Sequence, residues 1–278
     1  MHMTASRLLS GIVLAATFAL APVTLIAQDH QSSKYLYIQR EMLKPGQGAP
    51  HERSEQAWAA ASLQAKSTSF YTGLSSMTGP ERALFLFSYT SLADWQNKSD
   101  SVSPAGQATL DRIYATDGEL LTGVDDALFK IEPALSTNTF SSNVGTRFLE
   151  IEAYLIKPGH EEEFTAAVKQ YVKLAAGHPE IHFTTYSMLF GSSDGAQMIA
   201  LSAYKTLAEA DASLAAQEAL FKEMAPKDAE MIMGAIRTSV IWHHDNLFRV
   251  SPKLSYPSPD MIQSEPSFWK PTPTSTKK

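Results

Sequence analysis

Hydrophobic and polar positions along this chain follow two periods, that of a β-strand and that of an α-helix. Apolar and polar side chains alternate over residues 35–43, which predicts a strand, and Pro45-Gly46 ends it. The elements predicted for this half are a strand at 35–43, a helix at 51–66, strands at 70–74 and 83–89, helical segments at 92–100 and 105–121, and a strand at 127–131. The order β-α-β-β-α-β is that of a ferredoxin-like unit.

The second half of the chain repeats the first. Tyr35–Gly46 matches Phe148–Gly159 at an offset of 113, with five identities in twelve positions. Two later blocks match at offsets of 115 and 111, namely 89–94 with 204–209 and 117–123 with 228–234. The predicted elements of the second half lie at 148–157, 160–176, 182–190, 197–204, 207–233 and 237–248. Three matches in order at nearly one offset indicate a tandem duplication.

Two short motifs recur with the duplication and suggest a family. Lys44-Pro45-Gly46 and Lys157-Pro158-Gly159 join a strand to a helix, and Leu92-Ala93-Asp94 corresponds to Leu207-Ala208-Glu209. With this topology, the chain resembles the dimeric α/β-barrel superfamily over residues 34–250. The resemblance implies an α+β fold in which two tandem ferredoxin-like repeats pack their antiparallel sheets face to face as an α/β barrel. It constrains function little, because the superfamily includes cofactor-free monooxygenases, haem enzymes, isomerases and members without known activity.

The ends of the chain differ from the repeats. Residues 1–27 have the layout of a secretory signal peptide: one cation, an apolar run, and a small-residue end at Ala27. An uncleaved membrane anchor is the alternative interpretation, although Pro22 favours cleavage. The predicted domains are the signal peptide at 1–27, repeat 1 at 34–135, repeat 2 at 145–250 and a Pro-rich tail at 251–278. The tail is interpreted either as a strap across the barrel as far as Trp269 or as a disordered end.

Composition narrows the classes of function. The 278 residues carry 23 Lys+Arg against 29 Asp+Glu, a net charge of −6 without a basic block, so a nucleic-acid partner is not expected. There is no cysteine, which excludes disulfides, thiolate metal sites and thiol nucleophiles. Gly191-Ser-Ser-Asp-Gly195 is predicted to be a polar hairpin loop between two strands, not a nucleophile elbow between a strand and a helix, and no phosphate-binding glycine loop occurs. We expect an exported periplasmic or extracellular protein, monomeric or homodimeric, with no stable membrane insertion after signal cleavage.

The first strand of each repeat has one apolar and one polar face. Leu36, Ile38, Leu149 and Ile151 match in identity and parity, so that face is predicted to lie under the helices. The other face is predicted to point into the barrel, and it carries Tyr35, Tyr37, Gln39 and Glu41 in repeat 1 and Phe148, Glu150, Glu152 and Tyr154 in repeat 2. Buried carboxylates are costly unless they are bonded, solvated or hold a ligand. A wet, internally satisfied interface between the sheets is the alternative to a site.

Residues of this polar face and of the strands beside it are the candidates for chemistry. The predicted catalytic residues are Glu41, Glu150, Glu152, Tyr154 and His244, and the predicted ligand-binding residues are Tyr37, Gln39, His182 and Trp242. His243 and His244 are neighbours on one strand and face opposite ways, and the sequence does not decide which one enters the barrel. Repeat 2 is expected to contribute more of the chemistry, because it has the strand histidines.

Metal and haem sites have little support in the sequence. His182 could join Glu150 and Glu152 in a site of one histidine and two carboxylates, but no HxH or HxxxH pattern supports it. The resemblance implies an axial histidine on a helix for haem, and the candidates His160 and His178 lie at helix ends. We therefore predict no metal and no cofactor.

Two hypotheses for function remain. The first is an exported protein of unestablished activity that binds a small ligand between the sheets of the barrel. The alternative is a cofactor-independent or weakly metal-assisted enzyme, similar to a monooxygenase or an isomerase, acting on a small apolar or aromatic substrate. Whether the protein is an enzyme stays open at this point.

Overall fold

The structure is a computed structural model that describes residues 33–139, 144–192 and 197–270. The predicted signal peptide at 1–27 and the end of the tail at 271–278 lie outside these residues. In the described ranges, no helix is both long and apolar enough to span a membrane. The elements of repeat 1 are β1 (Tyr35–Leu43), α1 (Gly48–Gln64), β2 (Tyr71–Ser76), β3 (Arg82–Tyr89), α2 (Leu92–Ser99), α3 (Pro104–Gly118) and β4 (Leu121–Ile131).

Repeat 2 has the same order of elements. They are β5 (Phe148–Ile156), α4 (Glu161–Ala175), β6 (Thr184–Gly191), β7 (Met198–Tyr204), α5 (Leu207–Glu223), α6 (Pro226–Ser239) and β8 (Val240–Val250). The tail adds two short helices, α7 (Pro259–Ser264) and α8 (Pro266–Trp269). β4 begins earlier than predicted, because residues 121–126 pair with β1 rather than extending α3.

The motifs shared by the repeats form the same local structures. Gly46 and Gly159 have φ angles of +77° and +86°, a conformation that glycine adopts readily and that turns each first strand toward its helix. The Ser91 hydroxyl accepts a hydrogen bond from the Asp94 amide, while Asp94 accepts one from the Thr90 amide. Thr206 and Glu209 repeat this arrangement in repeat 2. These bonds are similar to a capping box, except that each acid accepts from the amide one residue before the N-cap, and they fix where α2 and α5 begin.

All eight strands form one closed antiparallel barrel in the order β1-β3-β2-β8-β5-β7-β6-β4. Each repeat contributes a four-stranded sheet, and the sheets join where β2 pairs with β8 and β4 pairs with β6. The predicted fold class of two tandem ferredoxin-like repeats in an α/β barrel is confirmed. Closure within one chain leaves no free sheet edge in the barrel.

The interior of the barrel is mostly apolar, apart from a charged group in which Arg40 pairs with Asp125 and Arg82 packs on the ring of Phe248. Its core contains Leu36, Ile38, Leu74, Leu84, Ala127, Phe129, Leu149, Ile151, Ile199, Leu201, Phe248 and Val250, from seven of the eight strands. Tyr186 and Met188 from β6, the eighth strand, pack against this core. Because core residues from both repeats contact one another, their side chains must point into the barrel. The interior is therefore a packed core between the two sheets.

This finding reverses the predicted orientation of the first strands. Leu36 and Ile38, with Leu149 and Ile151, were expected under the helices, and they lie inside the barrel instead. The polar face lies under the helices, where Glu41 meets His51 of α1. The prediction was wrong because both faces of these strands are covered, so alternation separates the faces without telling which is inside.

The tail packs against the barrel as far as Trp269. Trp269 joins the core, with Met261, Ile262 and Phe268 beside it. Glu265 accepts hydrogen bonds from the Gly145 amide at 2.7 Å and from Arg147 at 2.5 Å, which fixes the short helices to the start of β5. Upstream, the tail crosses β2 so closely that a Cβ on Gly73 would lie 2.2 Å from the carbonyl oxygen of Leu254.

Removing the Trp269 side chain tests the role of the tail. The variant Trp269→Ala should unfold with a free energy about 3 kcal/mol below wild type, because a large ring leaves the core. Urea denaturation measures this change. The control Leu63→Ala, at a position that is 67% exposed, should change it by less than about 0.5 kcal/mol. Equal stability of Trp269→Ala and wild type would contradict the tail's part in the core.

Candidate functional site

Two strands of repeat 2 bring polar side chains to the helix side of the sheet. Tyr154 on β5 projects toward α4, where its ring lies 5.4 Å from the ring of Phe164. The register of β5 with β8 places Asp245 opposite Glu152 and His243 opposite Tyr154. Because opposite residues of paired strands share a face, all four side chains lie on the same side of the sheet.

Glu152, Tyr154 and His243 are in direct contact. The Tyr154 hydroxyl donates a hydrogen bond to Glu152, and His243 Nε2 lies 3.4 Å from Glu152 Oε2. The His243 ring stacks on Tyr154 with 4.6 Å between centroids. The hydrogen bond to Glu152 raises the pKa of His243, and burial raises the pKa of Tyr154 well above its ordinary value. Tyr154 is therefore a protonated donor at neutral pH, next to a carboxylate acceptor.

Glu150 forms a second acidic group on the same face. The Tyr204 hydroxyl donates a hydrogen bond of 2.6 Å to Glu150. Burial raises the pKa of Glu150 to about 7, and the nearby carboxylates of Asp245 and Glu152 contribute to the increase. Burial also raises the pKa of Asp245. A carboxyl group that titrates near neutral pH can both accept and donate a proton there.

A cavity of about 230 Å³ lies between the sheet of repeat 2 and its helices α4, α5 and α6. Glu152 and Tyr154 form part of its wall. Apolar side chains that line it are Phe164, Ala167, Val168, Tyr171, Phe183, Phe221, Ile232 and Ile236, and further polar ones are His182, Thr185, Ser202, Ser213 and Gln217. Mostly apolar walls with a few converging polar groups are typical of small-molecule sites. This cavity lies on the other side of the sheet from the location predicted between the two sheets.

A difference between the repeats explains this cavity. The offset of 115 places Ala200 and Ser202 of β7 where β3 has Phe85 and Phe87. Phe85 is buried and its ring lies 5.6 Å from that of Tyr71, so aromatic rings fill this space in repeat 1. In repeat 2, the small side chains leave the corresponding space open. Neither position was among the candidates from the sequence, although the aligned repeats contained the signal.

The candidates in repeat 1 lie under its own helices. Tyr37 packs against Phe87 and Trp95, both at 5.6 Å between ring centroids. Gln39 donates a hydrogen bond of 2.8 Å to Glu41. None of these three predicted residues lines the cavity of repeat 2, and only Glu152, Tyr154 and His182 of the predicted set do so.

The remaining candidates lie on different faces. His182 lines the cavity, and its Nε2 lies 2.8 Å from the Ala203 carbonyl oxygen. Trp242 packs against the barrel core, and the His244 ring lies 4.7 Å from it. His244 lies on the opposite face of β8 from Glu152, and the histidine that shares the face of Glu152 is His243. The register of β8 with β5 decides this, and the sequence does not contain that register.

Three functional candidates in repeat 1 were missed. His51 and Glu55 lie one helical turn apart on α1, and Asp117 lies at the end of α3. His51 Nε2 is 2.7 Å from Glu41 Oε2. The spacing of His51 and Glu55 was a usable signal, whereas the approach of Asp117 is a long-range contact that no local pattern indicates.

The cavity does not fit haem, for which the resemblance implies an axial histidine on a helix. Haem needs an axial ligand, and the helices α4, α5 and α6 present no histidine to the cavity. His160 precedes α4, and its Nδ1 is 2.8 Å from Glu163 Oε2 at the surface. His178 follows the end of α4 and does not line the cavity.

Solved structures share this fold at low sequence identity. A proposed monooxygenase from Fusobacterium nucleatum matches with a TM-score of 0.53 and 9% identity, covering 79% of this chain and 93% of that chain. An anthrone oxidase-like protein matches with a TM-score of 0.52 and 15% identity over 79% and 92%. A point variant of the chlorite dismutase of Candidatus Nitrospira defluvii matches with a TM-score of 0.50 and 11% identity over 80% and 93%.

These likenesses identify the fold. The chain has the fold of the dimeric α/β-barrel superfamily, in the form that carries both repeats in one chain. No protein-family model matches the chain, and no curated protein matches it in sequence. Function must therefore be argued from the site itself.

The raised pKa of Glu150 predicts a measurable pH dependence of stability. An unfolded glutamate titrates near pH 4.3, roughly, whereas folded Glu150 titrates at about 7. Between these values the folded state holds a proton that the unfolded state has lost, so this group makes stability fall as pH rises. The Tm of Glu150→Gln minus that of wild type should therefore increase from about pH 5 to pH 8.

Thermal unfolding across this pH range measures the difference. The control Glu218→Gln, at an exposed position of α5, should give a curve parallel to that of wild type. A curve for Glu150→Gln that is also parallel to wild type would contradict the raised pKa of this carboxyl group.

Proposed function

We propose that the protein is exported and binds a small aromatic or apolar molecule that carries one hydrogen-bonding group. The binding site is the cavity between the sheet of repeat 2 and helices α4, α5 and α6. The observation that carries the proposal is this cavity of about 230 Å³, at a place where repeat 1 is filled by Phe85 and Phe87. An apolar cavity of about 150 Å³ already holds benzene, so this one can hold a larger ring compound.

The cavity wall supports this class of ligand. Phe164, Tyr171 and Phe221 supply aromatic surfaces for a flat molecule. Glu152 can accept a hydrogen bond from a ligand hydroxyl or NH group, and the Tyr154 hydroxyl holds the carboxylate in place. A ligand without such a donor would leave Glu152 less well satisfied after water is displaced.

Export is part of the proposal and rests on the sequence of residues 1–27. Fractionation of the native host cell tests it, with N-terminal sequencing of the mature protein. We expect a mature chain that begins near Gln28 in the periplasm or the medium. A full-length chain in the cytoplasm would contradict the export proposal and leave the ligand proposal standing.

Filling the cavity tests the binding site. The variant Ala200→Phe introduces the side chain that repeat 1 has at the corresponding position. Indole and 1-naphthol are suitable probes, because each combines an aromatic ring system with one donor. Isothermal titration calorimetry should show binding to wild type and a loss of affinity of about tenfold or more in Ala200→Phe.

Leu63→Phe is the matched control, because it adds the same ring at an exposed position of α1, in the other repeat. It should bind both probes as wild type does. Equal affinities of Ala200→Phe and wild type would show that the probes bind elsewhere.

A cofactor-independent enzyme is the second candidate function. The contact of Glu152, Tyr154 and His243 at the cavity favours it, because a carboxylate with a phenol donor and an imidazole is suited to removing a proton from a phenol or an enol. Dioxygen could then oxidise the anion. An anthrone is a fitting probe, since one protein of this fold is described as anthrone oxidase-like. Its oxidation by one dioxygen gives an anthraquinone and one water.

Oxygen consumption with anthrone measures this activity. We expect Glu152→Gln to lower kcat about 100-fold, because the base is lost while the shape is kept. The exposed variant Glu218→Gln should keep the wild-type rate. If the wild-type protein with anthrone takes up oxygen no faster than anthrone in buffer alone, this second function is contradicted.

A further inference from the structure

Repeat 1 contains a group of four ionisable side chains that the proposed function does not use. The cluster consists of Glu41 on β1, His51 and Glu55 on α1, and Asp117 on α3, and we call it the repeat 1 cluster. These residues are 2%, 1%, 6% and 2% exposed, respectively. One nitrogen or oxygen ligand atom from each lies within 4.8 Å of the others.

The three carboxylates are arranged around one nitrogen of His51. His51 Nε2 lies 2.7 Å from Glu41 Oε2, 3.7 Å from Asp117 Oδ2 and 4.0 Å from Glu55 Oε1. Ligand atoms bonded to one ion at about 2.0–2.2 Å can be no more than about 4.4 Å apart. Shifts of less than an ångström would therefore place all four atoms around a single ion.

Asp117 is incompletely hydrogen-bonded within the cluster. Neither carboxylate oxygen of Asp117 makes a hydrogen bond of normal geometry within the described residues. Ser54 and Glu41 lie close enough to influence the pKa of Asp117, but burial has the largest effect and raises it. Asp117 is thus a fully buried acceptor aimed at His51 Nε2, and such a group requires a proton or a cation nearby.

The charge of the cluster also requires compensation. Burial, together with the carboxylates of Glu41 and Asp117, raises the pKa of Glu55 to about 9. No lysine or arginine in the described part of the chain pairs with Glu55 or Asp117. A divalent cation would neutralise two negative charges at once, in a place that otherwise needs protonated acids.

The fold itself does not require these side chains. At the offset of 113, repeat 2 has Tyr154, Phe164 and Val168 where repeat 1 has Glu41, His51 and Glu55. These three counterparts form part of the cavity wall. The same position in the two repeats therefore holds either an apolar cavity or a buried polar cluster, and a structural need common to both repeats does not explain the cluster.

We propose that Glu41, His51, Glu55 and Asp117 bind one divalent transition-metal ion inside repeat 1. A histidine nitrogen with carboxylate oxygens suits Zn²⁺, Mn²⁺ or Fe²⁺ better than Ca²⁺ or Mg²⁺, which prefer oxygen ligands alone. Four protein ligands in a buried place are typical of a structural site rather than a catalytic one. The ion would link β1, α1 and α3, and Gln39 would orient Glu41 through its hydrogen bond.

Metal content and thermal stability of the full-length protein test this proposal. Because the cluster is buried, the protein is unfolded in urea with EDTA and refolded with ZnCl₂, with MnCl₂ or with EDTA alone. Mass spectrometry of the desalted protein should find about one metal ion per chain. Metal at about 100-fold above Kd should raise Tm by roughly 5–10 °C over the EDTA sample.

Variants of the cluster separate it from other metal sites. Glu55→Gln and Asp117→Asn keep the shape of the side chains and should reduce bound metal at least about tenfold. Asp228→Asn is the control, because Asp228 is a carboxylate in the first turn of α6 in repeat 2, where it accepts a hydrogen bond from Gln170. It should bind metal as wild type does. Circular dichroism verifies the fold of each variant.

Each alternative result has a definite meaning. Wild-type protein without bound metal and without a Tm shift would overturn the proposal, whatever the variants do. Equal metal content in all variants would place the ion elsewhere and overturn it too. If bound protons alone neutralise the carboxylates of the cluster, Glu55→Gln and Asp117→Asn should be at least as stable as wild type, both in EDTA and with added metal. If either variant fails to fold, Co²⁺ absorption of refolded wild type still reports whether a histidine–carboxylate site exists.

Discussion

Closure of the two sheets around one apolar core is the constraint on which the rest of this structure depends. Leu36, Ile38, Leu149 and Ile151 meet inside the barrel with partners from the other strands, so one face of every strand is committed to packing. Most of the polar side chains of the strands then lie on the outer face, under the helices, whereas Arg40, Arg82 and Asp125 form a charged group on the inner face. The candidate chemistry of the protein is consequently found between sheet and helices, once in each repeat.

Because of the duplication, the chain has two spaces between sheet and helices, one in each repeat. Their side chains have diverged in different ways. In repeat 2, small side chains such as Ala200 leave a cavity beside Glu152 and Tyr154. In repeat 1, rings such as Phe85 fill the space, and carboxylates around His51 occupy the remainder. Since the cost of burying ionisable groups is high, both arrangements depend on specific compensation, either by hydrogen bonds or by a bound species.

Much of the fold could be predicted from the sequence, because its signals are local. Short-range patterns mark the strand–Pro–Gly–helix junctions at Gly46 and Gly159 and the N-terminal caps of α2 and α5. The duplication indicated that the two units pack together. The site was less predictable. Strand alternation separates two faces but does not name the inner one, so the first strands were oriented the wrong way and His244 was chosen over His243. The approach of Asp117 to His51 depends on how α3 packs on α1, which no local pattern encodes.

The pairing of β2 with β8 has a consequence for the order of folding. Ser76 pairs with Phe248, and Trp269 completes the core from near the C-terminus, so barrel contacts join residues that are far apart in the sequence. Such high contact order slows folding, because long loops must close before the contacts form. Repeat 1 is synthesised first, and its apolar sheet face stays uncovered until repeat 2 has emerged. A holding chaperone that covers this face during synthesis would therefore protect the chain from aggregation when it is most exposed.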